Sequence, residues 1–224
     1  MTTTSAPESL SLARLASTRA GASRVFHRLG LDYCCHGQQT LGEACAGKAL
    51  EPSTVLAEIE AESKDAPPVT DWEMRPLDEL ITHILTRFHD GHRAELPRLL
   101  EMARKVESVH ADRPDVPQGL AAHLAHVHQA LLEHMEKEEQ VLFPMLRAGR
   151  GRMASMPIQM MEMEHDDHGT NLAKLRLLGQ DYTPPMGACA TWRALYLGLD
   201  ELEAEVMQHI HLENHVLFPR ALRG

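Results

Sequence analysis

The 224-residue sequence predicts an all-α protein, an up-down four-helix bundle behind a small helical N-terminal domain. Apolar residues recur at steps of three and four, the period of one helix face. Strand signals are absent. The third observation is a repeat at an offset of 75 residues: Leu120, Leu124, Val127, Leu131, His134, Glu138, Val141 returns as Leu195, Leu199, Leu202, Val206, His209, Glu213, Val216.

Residues 1–63 read as the small domain, 64–71 as a linker and 72–224 as the bundle. Thr40-Leu-Gly-Glu43 is a capping box that opens one short helix. Pro52-Ser53-Thr54 starts another, with Val55, Ile59 and Leu56 facing inward. Gly30-Leu-Asp-Tyr-Cys-Cys-His-Gly37 joins helices. A unit of about 60 residues is marginal alone, so docking is expected. In Lys64-Asp-Ala-Pro-Pro-Val-Thr-Asp71 two prolines end any helix. Four long helices follow, over Pro76–Val106, Pro117–Leu146, Ser155–Leu178 and Gly187–Leu222. Their connections carry proline and glycine, and short connections imply antiparallel neighbours. Pro97 falls inside the first helix and predicts a kink or an irregular turn.

Composition narrows the function classes. Aromatic residues are only 4%, so leucine, alanine, valine and methionine must fill the core. A net charge of −10 argues against nucleic acid as the partner. No run of apolar residues is long enough to span a membrane, and Met1–Ser9 has neither the basic start nor the apolar core of a signal peptide. The four cysteines, Cys34, Cys35, Cys45 and Cys189, form no spaced disulfide framework. Adjacent cysteines close a strained ring, so a reducing, cytoplasmic setting is expected. A homodimer is compatible with the sequence, which offers no identifiable interface.

The chemistry lies in polar interruptions of the apolar stripes. His134-Met-Glu-Lys-Glu138-Glu-Gln-Val-Leu-Phe-Pro144 and His209-Ile-His-Leu-Glu213-Asn-His-Val-Leu-Phe-Pro219 share H-x-x-x-E-x-x-V-L-F-P. A buried glutamate without compensation is costly. His89-Asp90-Gly91-His92 on the first helix matches His165-Asp166-Asp167-His168 on the third, so the bundle is two similar hairpins. The central candidates are His89 or His92, His134, Glu138, His165 or His168, His209 and Glu213. At least four imidazoles and two carboxylates exceed a four-ligand zinc site. They suit two metal ions with bridging carboxylates, and imidazole with carboxylate favours iron. On the first helix the stripe Leu77, Ile81, Ile84, Phe88, Leu99 centres nearer His92 than His89; on the third both histidines fit. Asp90 and Asp166 are either acceptors for a ring N–H or part of a solvated turn.

These residues resemble the hemerythrin-like bundle proteins of the repair-of-iron-centres family, di-iron proteins implicated in repairing iron–sulfur clusters after nitrosative and oxidative stress. The likeness spans nearly the whole chain. It rests on Leu31-Asp-Tyr-Cys-Cys35, Phe88-His-Asp-Gly-His-Arg93, Lys105-Val-Glu-Ser-Val-His-Ala-Asp112, Lys137-Glu-Glu-Gln-Val-Leu-Phe-Pro144, Glu164-His-Asp-Asp167 and His211-Leu-Glu-Asn-His-Val-Leu-Phe-Pro-Arg-Ala-Leu222. It implies two iron ions per chain held by His89, His110, His134, Glu138, His165, His209 and Glu213, with Glu138 and Glu213 as bridges. It selects His89 over His92 and adds His110, which has no counterpart in the second hairpin. The implied partners are damaged iron–sulfur proteins or a cluster scaffold, with NO or O2 as small ligands. The implied chemistry is donation of labile iron; direct reduction of NO and reversible binding of NO or O2 are the alternatives.

Cys34 and Cys35 match the family's small leading domain. Two adjacent thiols suit one soft metal ion, NO capture or disulfide exchange; the bland alternative is a pair of small residues packed in a turn. His36 stands where relatives often have glycine, and Cys45 is an extra thiol. Met153, Met156, Met160, Met161 and Met163 read as gap-fillers beside the site. His123, His126 and His128 read as solvated, Cys189 as a core residue at a helix start, and Glu164 as a surface carboxylate.

Overall fold

A computed structural model describes residues 7–223. Met1–Ala6, most of the stretch read as lacking a signal peptide, and Gly224 lie outside the described residues. Helices α1 (Leu12–Thr18), α2 (Ala22–Leu29), α3 (Leu41–Gly47) and α4 (Pro52–Ser63) come first. Next, α5 (Leu77–His83) passes through a π-helical turn, Ile84–His89, into α6 (Asp90–Val109). Helix α7 (Leu120–Lys137) passes through Glu138–Leu142 into α8 (Phe143–Arg147). Helix α9 (Ser155–Leu178) is unbroken, and α10 (Ala190–Leu212) passes through Glu213–Leu217 into α11 (Phe218–Arg223). Among the described residues there is no strand, only a single bridge between Ser11 and Thr40. The fold is the expected all-α class. None of the described helices is long and apolar enough to cross a membrane.

The chain forms two compact units. One comprises the residues up to Leu80 with Met207–Arg220, the other Ile81–Val206 with the residues from Ala221 on.

In the first unit, Leu12, Leu15, Val25, Phe26, Leu31, Tyr33, Leu41, Val55 and Ile59 form a buried core, with Leu56 and Met207 packed against it. The capping box is present. The Thr40 hydroxyl accepts from the Glu43 N–H, and Glu43 accepts from the Thr40 N–H at 2.9 Å. Gly30, at φ 65°, ends α2 in the left-handed region that glycine enters without steric cost. The chain then enters the Asp32–Gly37 loop, where Gly37 packs without room for a side chain. A Cβ there would meet the Tyr33 carbonyl oxygen and would lie 2.5 Å from His215 Nε2. Gly37→Ala should therefore destabilise the protein by about 1–3 kcal/mol. The expected result is a lower urea midpoint at unchanged m value; an unchanged midpoint would show that the loop can yield.

The second unit is the bundle. In each hydrogen-bonded pair of facing helices, one residue number rises as the other falls, the mark of antiparallel neighbours. Between α6 and α7, Glu107 accepts from the Ala121 N–H and His89 meets Glu138 at the opposite end. Between α7 and α9, His123 meets Asn171 and His134 meets Glu164. Arg176 on α9 pairs with Glu203 on α10 at 2.9 Å, and Arg87 with Glu205 at 2.6 Å. A Cβ on Gly198 would fall 2.5 Å from Leu99 Cδ2, so that glycine lets α10 approach α6.

The repeated V-L-F-P ending has a structural reading that periodicity does not supply. Phe143 N–H bonds to Glu138 O and Phe218 N–H to Glu213 O, five residues back rather than four. The next residue in each case, Pro144 or Pro219, has no N–H to offer the carbonyl four residues before it. The turn therefore widens at the glutamate. The widening rotates the residues beyond the glutamate about the helix axis. Val141, placed on the stripe by spacing, is 52% exposed with Leu142 buried, whereas Val216 in the matching turn stays buried beside Leu217. The same five-residue bond, Asp90 N–H to Leu85 O, marks the π turn that ends at His89. Helix α6 runs on through Pro97 to Val109, so the irregular turn lies upstream of that proline.

Two sequence expectations need correction here. Of these five only Met161 fills the core; Met156, Met160 and Met163 are exposed, because they fall off the inward face Ile158, Met161, His165, His168, Leu172 of α9, and Met153 is exposed in the short turn before that helix. His123 is not solvated: it is buried, and its Nε2 donates to the Asn171 carbonyl at 2.9 Å.

Candidate metal centre

Within the bundle unit, three elements bring four of the sequence candidates together. His89 ends the first π turn, His134 lies in the last turn of α7 with Glu138 opening the π turn beyond it, and His165 lies on α9. All four are 0–1% exposed. The Glu138 carboxylate receives His89 Nε2 at 3.3 Å and His134 Nε2 at 3.5 Å through the same oxygen. His165 Nε2 faces His134 Nε2 at 3.1 Å. The ligand atoms of His134, Glu138 and His165 all lie within 4.8 Å of one another.

The far sides of two imidazoles are held by carboxylates. His89 Nδ1 donates to Glu139 at 2.7 Å, and Arg93 donates to the same oxygen at 2.8 Å. His134 Nδ1 donates to Glu164 at 2.9 Å, and Lys137 binds the other Glu164 oxygen at 2.6 Å. The His134 hydrogen bond is the main reason the Glu164 carboxyl is held at about 2, with Lys137 adding to it against partial burial. Burial would raise the Glu139 carboxyl, but its bonds to Arg93 and His89 outweigh that and keep it below the ordinary range. Both carboxylates stay ionised at neutral pH. Each fixes the proton on Nδ1 and leaves Nε2 as a lone-pair donor aimed at the Glu138 cluster.

This donor set fits a metal ion. Two imidazole nitrogens about 2.0–2.2 Å from one cation would sit close to the observed Nε2–Nε2 separation. A fixed tautomer with carboxylate support on the outer nitrogen is the arrangement metal-ligating histidines adopt. Imidazole and carboxylate with no sulfur suit iron.

In the other unit, His209 ends α10 and Glu213 opens the third π turn, with His209 Nε2 and Glu213 Oε1 3.2 Å apart and both fully buried. The pair repeats the relation of His134 to Glu138. His110 is not brought to His89: it caps the far end of the 20-residue α6, about 30 Å away at the helical rise. There its Nε2 meets Cys189 Sγ at 3.3 Å, and its ring packs on Trp192. His92 is buried against Phe88, and the His168 ring lies edge-on to His134 at 4.9 Å. Asp90 and Asp166 are exposed, and the acceptor role considered for them belongs to Glu139 and Glu164. Sequence reading missed Glu139 and demoted Glu164. The available signal was that each directly adjoins a ligand candidate, Glu138 or His165, on a helix that turns toward the neighbouring histidine.

Cys34, Cys35 and Asp32 form a second group, in the loop between α2 and α3. Asp32 Oδ1 accepts from the Cys34 N–H, the Cys35 N–H at 2.9 Å and the Cys34 thiol at 3.2 Å. The Cys34 thiol is pushed well up by its contact with Cys35, by burial and by Asp32. All four cysteines are free thiols, and Cys45 is buried in the small core on α3.

Comparison with known proteins places these residues in a family. Residues 80–221 match the hemerythrin HHE cation binding domain, and residues 9–63 match a domain of unknown function (DUF542). The iron–sulfur cluster repair protein YtfE of Citrobacter koseri is 49% identical over 95% of this chain and 96% of its own length. Those of Dickeya chrysanthemi and Escherichia coli are each 48% identical, over 96% and 95% of this chain and 97% and 96% of theirs. The chain belongs to the repair-of-iron-centres family. The family's cation-binding segment contains every histidine and glutamate of the Glu138 cluster. The family's leading domain contains the Asp32–Cys35 loop.

Proposed function

We propose that this chain takes part in the repair of iron–sulfur clusters, holding two iron ions in the bundle and giving up iron to damaged cluster proteins. The observation that carries the reading is the buried cluster of imidazoles around Glu138, two of them held on their outer nitrogens by ionised carboxylates. The ligands would be His89, His134, Glu138 and His165 of the bundle unit together with His209 and Glu213 of the repeated motif, with Glu138 and Glu213 as the bridging carboxylates. The inclusion of His209 and Glu213 is supported by the repeat, by the matching π turns and by the family's cation-binding segment. Bound there, iron supplies an exchangeable cation and a one-electron couple at each position.

The protein's own groups set how firmly the ions are kept. Glu139 and Glu164 hold two imidazoles in the ligating tautomer, while Arg93 and Lys137 neutralise those carboxylates toward solvent. Buried carboxylates without their cations are costly, so the iron-free centre is the less stable state and reloads readily. The setting is the cytoplasm, where thiols stay reduced. Damaged iron–sulfur proteins are the targets, and NO or O2 are the small molecules that reach the centre.

Mixing the iron-loaded protein with an enzyme whose cluster has been destroyed by NO tests the donation. Recovery of enzyme activity should exceed that given by an equal amount of free ferrous iron. Recovery no greater than with free iron would contradict donation.

A further inference from the structure

The Asp32–Cys35 loop has a geometry that bears on a second ion. Cys34 Sγ and Cys35 Sγ stand 3.6 Å apart, and Cys34 Sγ stands 3.2 Å from Asp32 Oδ1. In a tetrahedral site with metal–sulfur bonds of about 2.3 Å and metal–oxygen bonds of about 2.0 Å, the sulfur–sulfur edge is about 3.8 Å and the sulfur–oxygen edge about 3.5 Å. Two edges of one face of such a site are therefore close to the required length, and all three ligand atoms lie within 4.8 Å of one another.

The loop is held in that shape from outside. Asn214 Nδ2 and His215 Nε2 both donate to the Cys34 carbonyl at 3.0 Å, and Gln38 donates to His215 Nδ1 at 3.4 Å. His211 Nδ1 donates to the Tyr33 carbonyl at 3.3 Å, and its Nε2 accepts from the Ser17 hydroxyl at 3.1 Å. While the backbone carbonyls meet these partners, the Cys34 thiol meets Asp32 and the Cys35 thiol meets the Cys34 sulfur. The close packing of Gly37 under His215 keeps the loop seated. Asn214 and His215 belong to the π turn that begins at Glu213, so the loop is fastened to the same turn that carries a candidate ligand.

We propose that Asp32, Cys34 and Cys35 bind one thiophilic divalent cation, such as ferrous iron or zinc, in an open three-ligand site. On binding, the two thiols give up their protons to solvent and both sulfurs ligate as thiolates. The Asp32 side chain is 42% exposed and Cys35 is partly exposed, so the fourth position faces solvent. His36, 65% exposed with Nδ1 on Asp32 Oδ2 at 2.7 Å, orients the carboxylate. Structural thiolate sites are closed by four protein ligands, whereas a site with three protein ligands leaves its fourth position to water or an incoming ligand. The site is therefore open to a ligand from solvent, and it stands whether or not the bundle holds two irons.

Cobalt(II) titration of the full-length, phosphine-reduced protein tests this. The bundle cluster contains no sulfur, so a near-ultraviolet thiolate-to-cobalt charge-transfer band reports on cysteine ligation alone. One such cobalt per chain is expected. Cys34→Ser and Cys35→Ser should each abolish the band, and Asp32→Ala should weaken cobalt binding there at least tenfold, with unchanged far-ultraviolet circular dichroism. Cys189→Ser and Glu138→Leu should keep the band, the latter even if the bundle binds nothing. Absence of the band, its survival in Cys34→Ser or Cys35→Ser, its loss in Cys189→Ser, or unaltered affinity in Asp32→Ala would overturn the proposal.

Discussion

Replacing Glu138 by leucine should empty the bundle of iron while leaving it folded. Glu138 is fully buried, and the Nε2 atoms of His89 and His134 converge on one of its oxygens. Its removal takes away the carboxylate that both ions are proposed to share. Leucine restores the apolar stripe Leu124, Val127, Leu131 along the same helix face, all of it buried. The iron-free variant should therefore melt no lower than the iron-free parent. The parent should gain stability from iron, about 3–4 kcal/mol at 100- to 1,000-fold excess over its dissociation constant, and the variant should gain almost none. Calorimetry of both proteins with and without ferrous iron reads the difference directly. An equal iron-dependent rise in melting temperature would show that Glu138 is not a ligand.

Glu164→Gln should weaken iron binding 10- to 100-fold, the usual effect of losing a partner behind a ligating histidine. Glutamine can still accept from His134 Nδ1, so the fold is kept, but the negative charge that makes the imidazole a stronger donor is gone. Lys137 also loses its ion-pair partner. Glu139→Gln should do the same through His89. Asp166→Asn and Asp90→Asn, at exposed positions beside His165 and His89, should leave affinity unchanged. Iron affinity measured by chelator competition across the four variants separates the two assignments. Equal losses in the aspartate variants would return the supporting role to the residues that sequence spacing suggests.

Much of this was legible in the sequence because helices write their inward faces at regular steps. His134, Glu138, His209 and Glu213 stood out as polar residues at positions a stripe reserves for leucine. The capping box at Thr40 was legible because its chemistry is local. The choice between His89 and His92 was not, and the reason is physical. The π turn Ile84–His89 adds a residue, so a step of four from Ile84 reaches Phe88, one short of His89, and both His89 and His92 end up buried. For the π turns that open at Glu138 and Glu213 the proline in V-L-F-P was the visible cause, but its consequence depends on which carbonyl the missing N–H leaves behind. His110 shows the opposite failure. A likeness of sequence motif carried it into the ligand set, whereas α6 holds it a full helix length from His89. Glu139 and Glu164 were hidden because a carboxylate on a helix surface is ordinary, and only packing reveals which neighbouring ring it holds.

The bundle is proposed to hold two coupled irons. Iron quantification combined with Mössbauer spectroscopy of the freshly purified protein tests it most directly. Two irons per chain are expected, with a spectrum that, once oxidised, shows a spin-coupled diamagnetic pair. One iron per chain, or two irons with the magnetic spectra of isolated ions, would contradict it.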